Sequence, residues 1–476
     1  MQKIDMLVKA PHIYTMQGEG VGYIGDAAMA VDRGRIVAVG PQSEVCSEFC
    51  AEQTIDAYGR ALLPGLIDAH IHTSHAVLRG LAQDTRNWMM HGIGPFVDIE
   101  RASPEIMNAG SELALLEAVR SGTTTFGDWG TNMHDVCALL QKMGARGHIS
   151  SMIRDAVVRI YDQGELYEYD ESLGRKLLEI NLDLYERWNN AAGGRISVHF
   201  GPQGADFVSE PMLVEIGRLA LQKKMKIHMH VAQGDRETAQ MTMRYSQRPI
   251  EWLDSIGYLN ERLIAVHLTD ATVDEAQMLA RKACSMVVCS GSIAVIDGVV
   301  PPSRPFRDAG GYVALGSDQA PGNNCHNIIN EMKLTALFNK IQYQDPEAMP
   351  AWQVLRMATI EGAHALGLAD QIGSLEPGKC ADFITINLSA PTMAPVYTQP
   401  MRNIVPNLVY SAMGDEVDTV VVDGQVIYQA GAFSSLDSTA VIERAERCAR
   451  HLGEAAAERF WKINGINAQF MREHKL

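Results

Sequence analysis

At 476 residues, with 46% apolar and 21% charged side chains, the chain is long enough for one large domain plus a satellite. Its composition excludes the disordered and membrane classes. The net charge of −16 argues against nucleic acid, because phosphate binding rests on clustered Lys and Arg that this sequence lacks. No run approaches the ~18 uninterrupted apolar residues of a spanning helix, and the amino terminus MQKIDMLVKAPHIYTM has no basic start followed by an apolar stretch. A cytoplasmic protein with a small-molecule partner and no membrane contact is expected. Eight cysteines occur without a Cys-x-x-Cys pair or a disulfide rhythm, so reduced thiols are expected, with Cys46 and Cys50 on or near one helical face.

In chain order, Ala27–Gly40 alternates apolar and polar residues around the turn DRGR, as a hairpin should. Apolar strand-like runs then alternate with amphipathic segments: ALLPGLIDAHIH, SELALLEAVRSG and TTTFGDWG, later RISVHFGP, KIHMHVAQ, LIAVHLTD, SMVVCS and YVALGSD. About eight such units over roughly 250–300 residues suit an α/β fold, a (β/α)8 TIM-type barrel whose chemistry sits at strand carboxyl ends. A second hairpin, Val417–Tyr428, turns at Asp423-Gly424. The two chain ends are therefore expected to build a small β-sandwich domain. The predicted division is 1–61 and 371–434 for that domain and 62–370 for the barrel. A helical extension over 435–476 follows, placed on the small domain or on a neighbouring subunit.

Five polar groups fall at the ends of strand-like runs. His70 and His72 are two apart, so both imidazoles face one side of a strand. His230 ends MKIHMH, His267 ends RLIAVH and Asp318 ends YVALGSD. Nitrogen ligands with one carboxylate and an open position suit a catalytic divalent cation, with zinc the leading choice and iron, cobalt or manganese as alternatives. His228 competes with His230 for the ligand role. His75, His91, His326 and His364 lie outside strand ends.

The chain resembles the amidohydrolase superfamily, in its cytosine-deaminase-like branch. The resemblance is carried by PGLIDAHIH (Pro64–His72), GTTTFGD (Gly122–Asp128), HVAQ (His230–Gln233), AVH (Ala265–His267), GSDQAPGNNCHNIINEMKLTAL (Gly316–Leu337) and MATIEGAHALGLADQIGSLEPGKCADFITINL (Met357–Leu388). The last block is similar to the melamine-deaminase and atrazine-chlorohydrolase group; S-adenosylhomocysteine deaminases are also related. The resemblance implies one metal held by His70, His72, His230 and Asp318, with His267 orienting or deprotonating an attacking water and Asp318 taking its proton. It also implies a homodimer or higher homo-oligomer.

Three residues after His230, most deaminases of this branch carry a glutamate that protonates a ring nitrogen. Here Gln233 stands there, and an amide can donate a hydrogen bond but not act as a general acid. Three readings stay open: the substrate needs no ring protonation; Asp235, Glu237 or His267 replaces the glutamate; or a Glu-to-Gln change has been introduced to trap a complex. Gln203 occupies the place of a histidine usual in the methylthioadenosine and S-adenosylhomocysteine deaminases, which puts a nucleoside substrate in doubt. Cys289 and Ser290 replace customary polar groups near the mouth. Gln203, Gln233, Cys289, Asn324 and Trp88 are the expected substrate contacts. Trp88 reads equally as a stacking aromatic or as loop packing.

The expected activity is metal-dependent hydrolysis that displaces an amino, alkylamino or similar group from a nitrogen heterocycle. Hydrolysis of an amide, carbamate or thiocarbamate is the alternative, and a retired barrel that only binds is the non-enzyme reading.

Overall fold

The computed structural model describes every residue except Ile160, Gln163 and Asn464, and the backbone but not the side chain of Asp235. The chain opens with five strands, β1 (Gln2–Tyr14), β2 (Tyr23–Asp32), β3 (Arg35–Pro41), β4 (Phe49–Asp56) and β5 (Arg60–Pro64). Eight more follow, each separated from the next by helical or loop segments: β6 (Leu66–Ile71), β7 (Thr123–Gly130), β8 (Arg146–Ile153), β9 (Ile196–Pro202), β10 (Ile227–Val231), β11 (Leu263–His267), β12 (Ser285–Val288) and β13 (Val313–Leu315). The last four are β14 (Phe383–Asn387), β15 (Val417–Val422), β16 (Gln425–Gln429) and β17 (Ala432–Phe433).

Strands β6 to β13 pair in sequence order, every pair parallel, and form the expected barrel. Strands of a parallel barrel are covered on both faces, which explains why β6, β8, β10, β11, β12 and β13 are buried along their whole length. The seam between the last strand and the first is closed by backbone hydrogen bonds just beyond their ends. Asp318 donates its N–H to His70 (2.9 Å) and His72 donates its own to Asp318 (2.8 Å). The residues that close the barrel are thus three of the predicted site residues.

The two ends of the chain meet in a nine-stranded sheet, in which β5 pairs antiparallel with β14. Both predicted hairpins are present, with Asp32 opposite Arg35 and Val422 opposite Gln425. The sheet folds over one core in which Met6, Val8 and Met29 from its amino-terminal strands meet Leu62, Phe383 and Val421. Arg146, at the start of β8, donates two hydrogen bonds to Asp382, just before β14 (2.8 and 3.0 Å), and so locks barrel to sheet.

Two expectations need correction. The carboxyl-terminal helix Ser438–Ile463 rests on the barrel rather than on the sheet: Cys448, Leu452, Ala456 and Phe460 pack with Val77, Phe96, Ile106 and Ala109, and Arg444 pairs with Glu112. Cys46 lies in the short helix Gln42–Glu48, but Cys50 lies in β4, because the helix stops at the start of that strand.

Candidate metal centre

Period-two alternation sends His70 and His72 to one side of β6 and its extension, while β10 offers His230, β11 ends on His267, and Asp318 follows β13. The structure brings all five together. His72 Nε2 lies 3.2 Å and His70 Nε2 3.6 Å from Asp318 Oδ1. His230 and His267 stack with ring centroids 5.3 Å apart, and each approaches His70, at 4.9 and 5.4 Å. Nitrogens of His70, His230 and His267 form one group with all ligand atoms within 4.8 Å, and His70, His72 and Asp318 form another.

The donor set fits a divalent cation. His70 Nε2, both ring nitrogens of His267 and Asp318 Oδ1 are buried and have no hydrogen-bond partner among the described residues, a condition costly to maintain without a ligand. Ligand bonds of about 2.1 Å in tetrahedral array put neighbouring donor atoms about 3.4 Å apart, and the two distances to Asp318 bracket that value. Second contacts fix the imidazoles: His72 Nδ1 is 2.6 Å from the Trp129 carbonyl and His230 Nδ1 2.8 Å from the Gln203 carbonyl. A carbonyl accepts only, so these nitrogens carry the protons and leave both Nε2 lone pairs free.

The charges agree with a ligand role. Burial pushes His70 and His230 well below the usual imidazole range and lowers His267, so all three are neutral donors. Burial opposes ionisation of Asp318, but the close approach of the His70 and His72 rings holds it well below the carboxylate range. His72 is the exception: against burial, Asp318 raises its pKa, so a proton and a cation compete for this corner of the site. Ser292 donates its hydroxyl to Asp318 Oδ2, leaving Oδ1 to face the histidines. Two of these residues sit in the left-handed region, His267 at φ +75° and Asp318 at φ +57°. Such backbone costs roughly 1–3 kcal/mol per residue and persists where the surroundings over-determine it.

The expected substrate contacts divide. Gln233 is half-buried beside the site strand, and its N–H donates to Glu237 Oε2 (2.8 Å). Glu237 is buried, and burial raises its pKa to about 8; the side chain of Asp235 lies outside the described residues. Gln203 accepts from Arg154 Nη1 (3.3 Å). Trp88 is buried, packs with Ala82, Ile93 and Ile296, and donates to the Pro321 carbonyl (3.2 Å). Asn324 accepts from the Gly80 N–H and Gln83 Nε2 at 3.1 and 2.7 Å, stapling the same loop. Cys289 follows Val287 by two, and Val287 registers through Val266 with His230 on the inner side of the barrel. A β-carbon at Gly316 would fall 3.0 Å from the Cys289 sulfur and 2.9 Å from the His70 β-carbon, so the thiol, its pKa pushed up by burial, lies beside His70.

The sequence reading missed Trp129, whose ring packs edge-on against His72 and His230 at 5.2 and 4.8 Å. It also missed Asp68, which holds Ser317 through the backbone N–H (2.9 Å) and the hydroxyl. Asp68 precedes His70 by two, but the strand register shifts between Asp68 and Ile71, so parity gave no guide to its place. Ser292 had no signal either, since it reaches Asp318 only through the fold.

Fold and site together define a (β/α)8-barrel metallohydrolase scaffold, with a divalent-cation site of histidines and one aspartate at the carboxyl ends of its strands. The Amidohydrolase family sequence pattern matches residues 61–427, and the chain belongs to that family. It is 31% identical over 451 residues to a 5-methylthioadenosine/S-adenosylhomocysteine deaminase of Pelotomaculum thermopropionicum, covering 94% of this chain and 99% of the relative. A 5'-deoxyadenosine deaminase of Methanosphaera stadtmanae is 31% identical over 405 residues, 84% of this chain and 90% of the relative. Among solved structures, a zinc-bound adenosine deaminase from Xanthomonas campestris superposes with a TM-score of 0.87 at 28% identity, covering 95% of this chain and 99% of that one. A zinc complex of atrazine chlorohydrolase from Arthrobacter aurescens shares the fold, with a TM-score of 0.82 at 21% identity over 93% of this chain and 100% of that one.

Proposed function

We propose that this protein is a hydrolase that uses a metal-activated water to displace an amino, alkylamino or similar group from a ring carbon of a nitrogen heterocycle. The observation that carries this reading is the convergence of His70 Nε2 and His72 Nε2 on the unpartnered Asp318 Oδ1, beside His230 and His267. His70, His72, His230 and Asp318 would hold the cation, and zinc suits a nitrogen-rich set with one carboxylate. When bound, it supplies the Lewis acidity that makes water nucleophilic at neutral pH. Asp318, kept ionised, takes the water's proton through its carboxylate and passes it to the leaving nitrogen. His267, neutral and held in a strained backbone, orients the attacking oxygen. Trp129 covers the His72 and His230 edges and keeps bulk water from them.

The named relatives act on adenosine-like compounds, which supports a heterocyclic amine. Gln203 and Gln233 support a pocket altered from theirs. Gln233 also favours a second reading, hydrolysis of an amide, carbamate or thiocarbamate, because a carbonyl carbon is electrophilic without ring protonation and the Gln233 side chain makes no hydrogen bond among the described residues. Eight unpaired cysteines suit a reducing compartment such as the cytoplasm, and among the described residues no helix is long and apolar enough to cross a membrane.

Incubating the zinc-loaded protein with aminated, alkylaminated and halogenated heterocycles, cyclic amides and carbamates, with mass spectrometry and ammonia release as readouts, tests the assignment. Exchange of an amino group for hydroxyl is the expected result. Cleavage at a carbonyl with no exchange on any ring would move the protein to the second reading.

A further inference from the structure

The sequence leaves His228 as a competitor of His230, and the structure gives it a different place. Ile227, Met229 and Val231 of β10 pack in the main apolar cluster, so His228 and His230 point the other way. His228 Nε2 lies 2.8 Å from His70 Nδ1, with both rings fully buried. Beyond His228 come more imidazoles: His148, with its ring centroid 6.2 Å away, is itself stacked on His199 at 3.6 Å. Barrels of this kind fill that layer with branched aliphatic side chains, so a histidine column directly beneath the site needs another explanation than packing.

We propose that His228 is a positioning residue that fixes the tautomer and orientation of His70 and thereby sets the affinity of the metal centre. The inference rests on the metal reading of the site. His70 must present a lone pair at Nε2 toward Asp318 and the other donors, which places its proton on Nδ1; His228 Nε2, 2.8 Å away, accepts that proton's hydrogen bond. His72 and His230 use backbone carbonyls for the same purpose. His70 is the one of the three whose orienting partner is a side chain, and therefore the one whose second contact a single substitution can remove.

The test compares wild type, His228→Leu and His228→Gln. Leucine removes the acceptor while filling similar space; glutamine returns an acceptor oxygen near the place of Nε2. Zinc dissociation constants are measured by chelator competition, beside thermal unfolding of the metal-free proteins. Zinc binding is expected to weaken by about 10- to 100-fold in the leucine variant, the usual cost of losing such a contact, with recovery to within about threefold of wild type in the glutamine variant. Nitrogen-15 spectra of histidine-labelled, zinc-loaded wild type are expected to show His70 protonated on Nδ1. Unchanged affinity in the leucine variant, equal weakening in both variants, or a His70 proton on Nε2 would each overturn the proposal. A wild-type protein that takes up no zinc or other divalent ion would instead overturn the metal reading beneath it.

Discussion

Asp318 gathers more of the site than any other residue. Its backbone closes the barrel, one carboxylate oxygen takes the Ser292 hydroxyl, and the other faces His70 and His72. Asp318→Asn removes the charge at nearly constant shape, and His70→Ala removes a donor; both are expected to lose zinc on dialysis, measured by elemental analysis, and to lower turnover by more than ~10⁴, the upper end of the ~10²–10⁴ span of proton-transfer help alone. Full activity in a metal-free variant would end the mechanism. Gln233 allows a sharper comparison. If the natural substrate needs no ring protonation, Gln233→Glu should change its kcat/KM by less than about tenfold, while raising turnover of an unactivated aminated ring by ~10²–10⁴. A large gain on the natural substrate as well would show that glutamine is a handicap there too.

Elements explain why some polar residues near the mouth serve the scaffold. The loop after the short helical turn Thr73–Leu78 is pinned from the far side of the site: Trp88 and Gln83 both donate to the Pro321 carbonyl, and Asn324 holds Gly80 and Gln83. Trp88→Ala should therefore cost roughly 3–5 kcal/mol, the usual range for emptying a buried aromatic position, and should appear first as faster proteolysis of residues 79–96. The helix Ser290–Ile296 carries Ser292 toward Asp318 and is anchored by Glu331, which accepts from the Gly291 N–H (3.2 Å) and from Asn323 (2.9 Å). A β-carbon at Gly291 would fall 2.0 Å from Asn323 Oδ1 and 2.7 Å from Glu331 Oε1, so a larger residue there would displace both anchoring side chains. Burial raises the Glu331 pKa to about 8 from an ordinary 4.5. The folded state then holds a proton that the unfolded state releases, so this contribution is complete below pH 4.5 and falls away as pH rises toward 8. Glu331→Gln should flatten that decline in denaturant titrations between pH 5 and pH 8; an unchanged slope would place the titration elsewhere.

At the scale of the whole molecule, the barrel depends on the sheet made by the chain's own ends. Arg146 and Asp382, nearly inaccessible to solvent, form the joint, and Asp382 also accepts the Asp423 N–H (2.8 Å). Removing one partner of a buried pair leaves the other charge without compensation, so Arg146→Met should destabilise the protein by roughly 3–5 kcal/mol. The double variant Arg146→Met, Asp382→Leu should recover part of that loss, as measured by denaturant unfolding. The carboxyl-terminal helix is a second brace, covering the segment that follows His72 with Cys448, Leu452 and Phe460.

What the sequence determined by itself was whatever a local rule can express. Period-two parity put His70 and His72 on one face; strand-like runs ending in His230, His267 and Asp318 marked one rim; the turns DRGR and Asp423-Gly424 marked the hairpins; and alternating strands and helices indicated the barrel. The tertiary structure alone decided which neighbours those residues meet. His228 and His70 are 158 positions apart, Ser292 and Asp318 26, and the Trp88 contact with Pro321 spans 233. Cys289 lies one residue beyond a correctly read strand, and the side of the wall it takes, shared with His230 through Val266 and Val287, depended on how that strand registers against its neighbours. A one-residue change of register exchanges inside for outside along a whole strand. Composition and spacing carry no information about that choice; the packing of the closed barrel makes it.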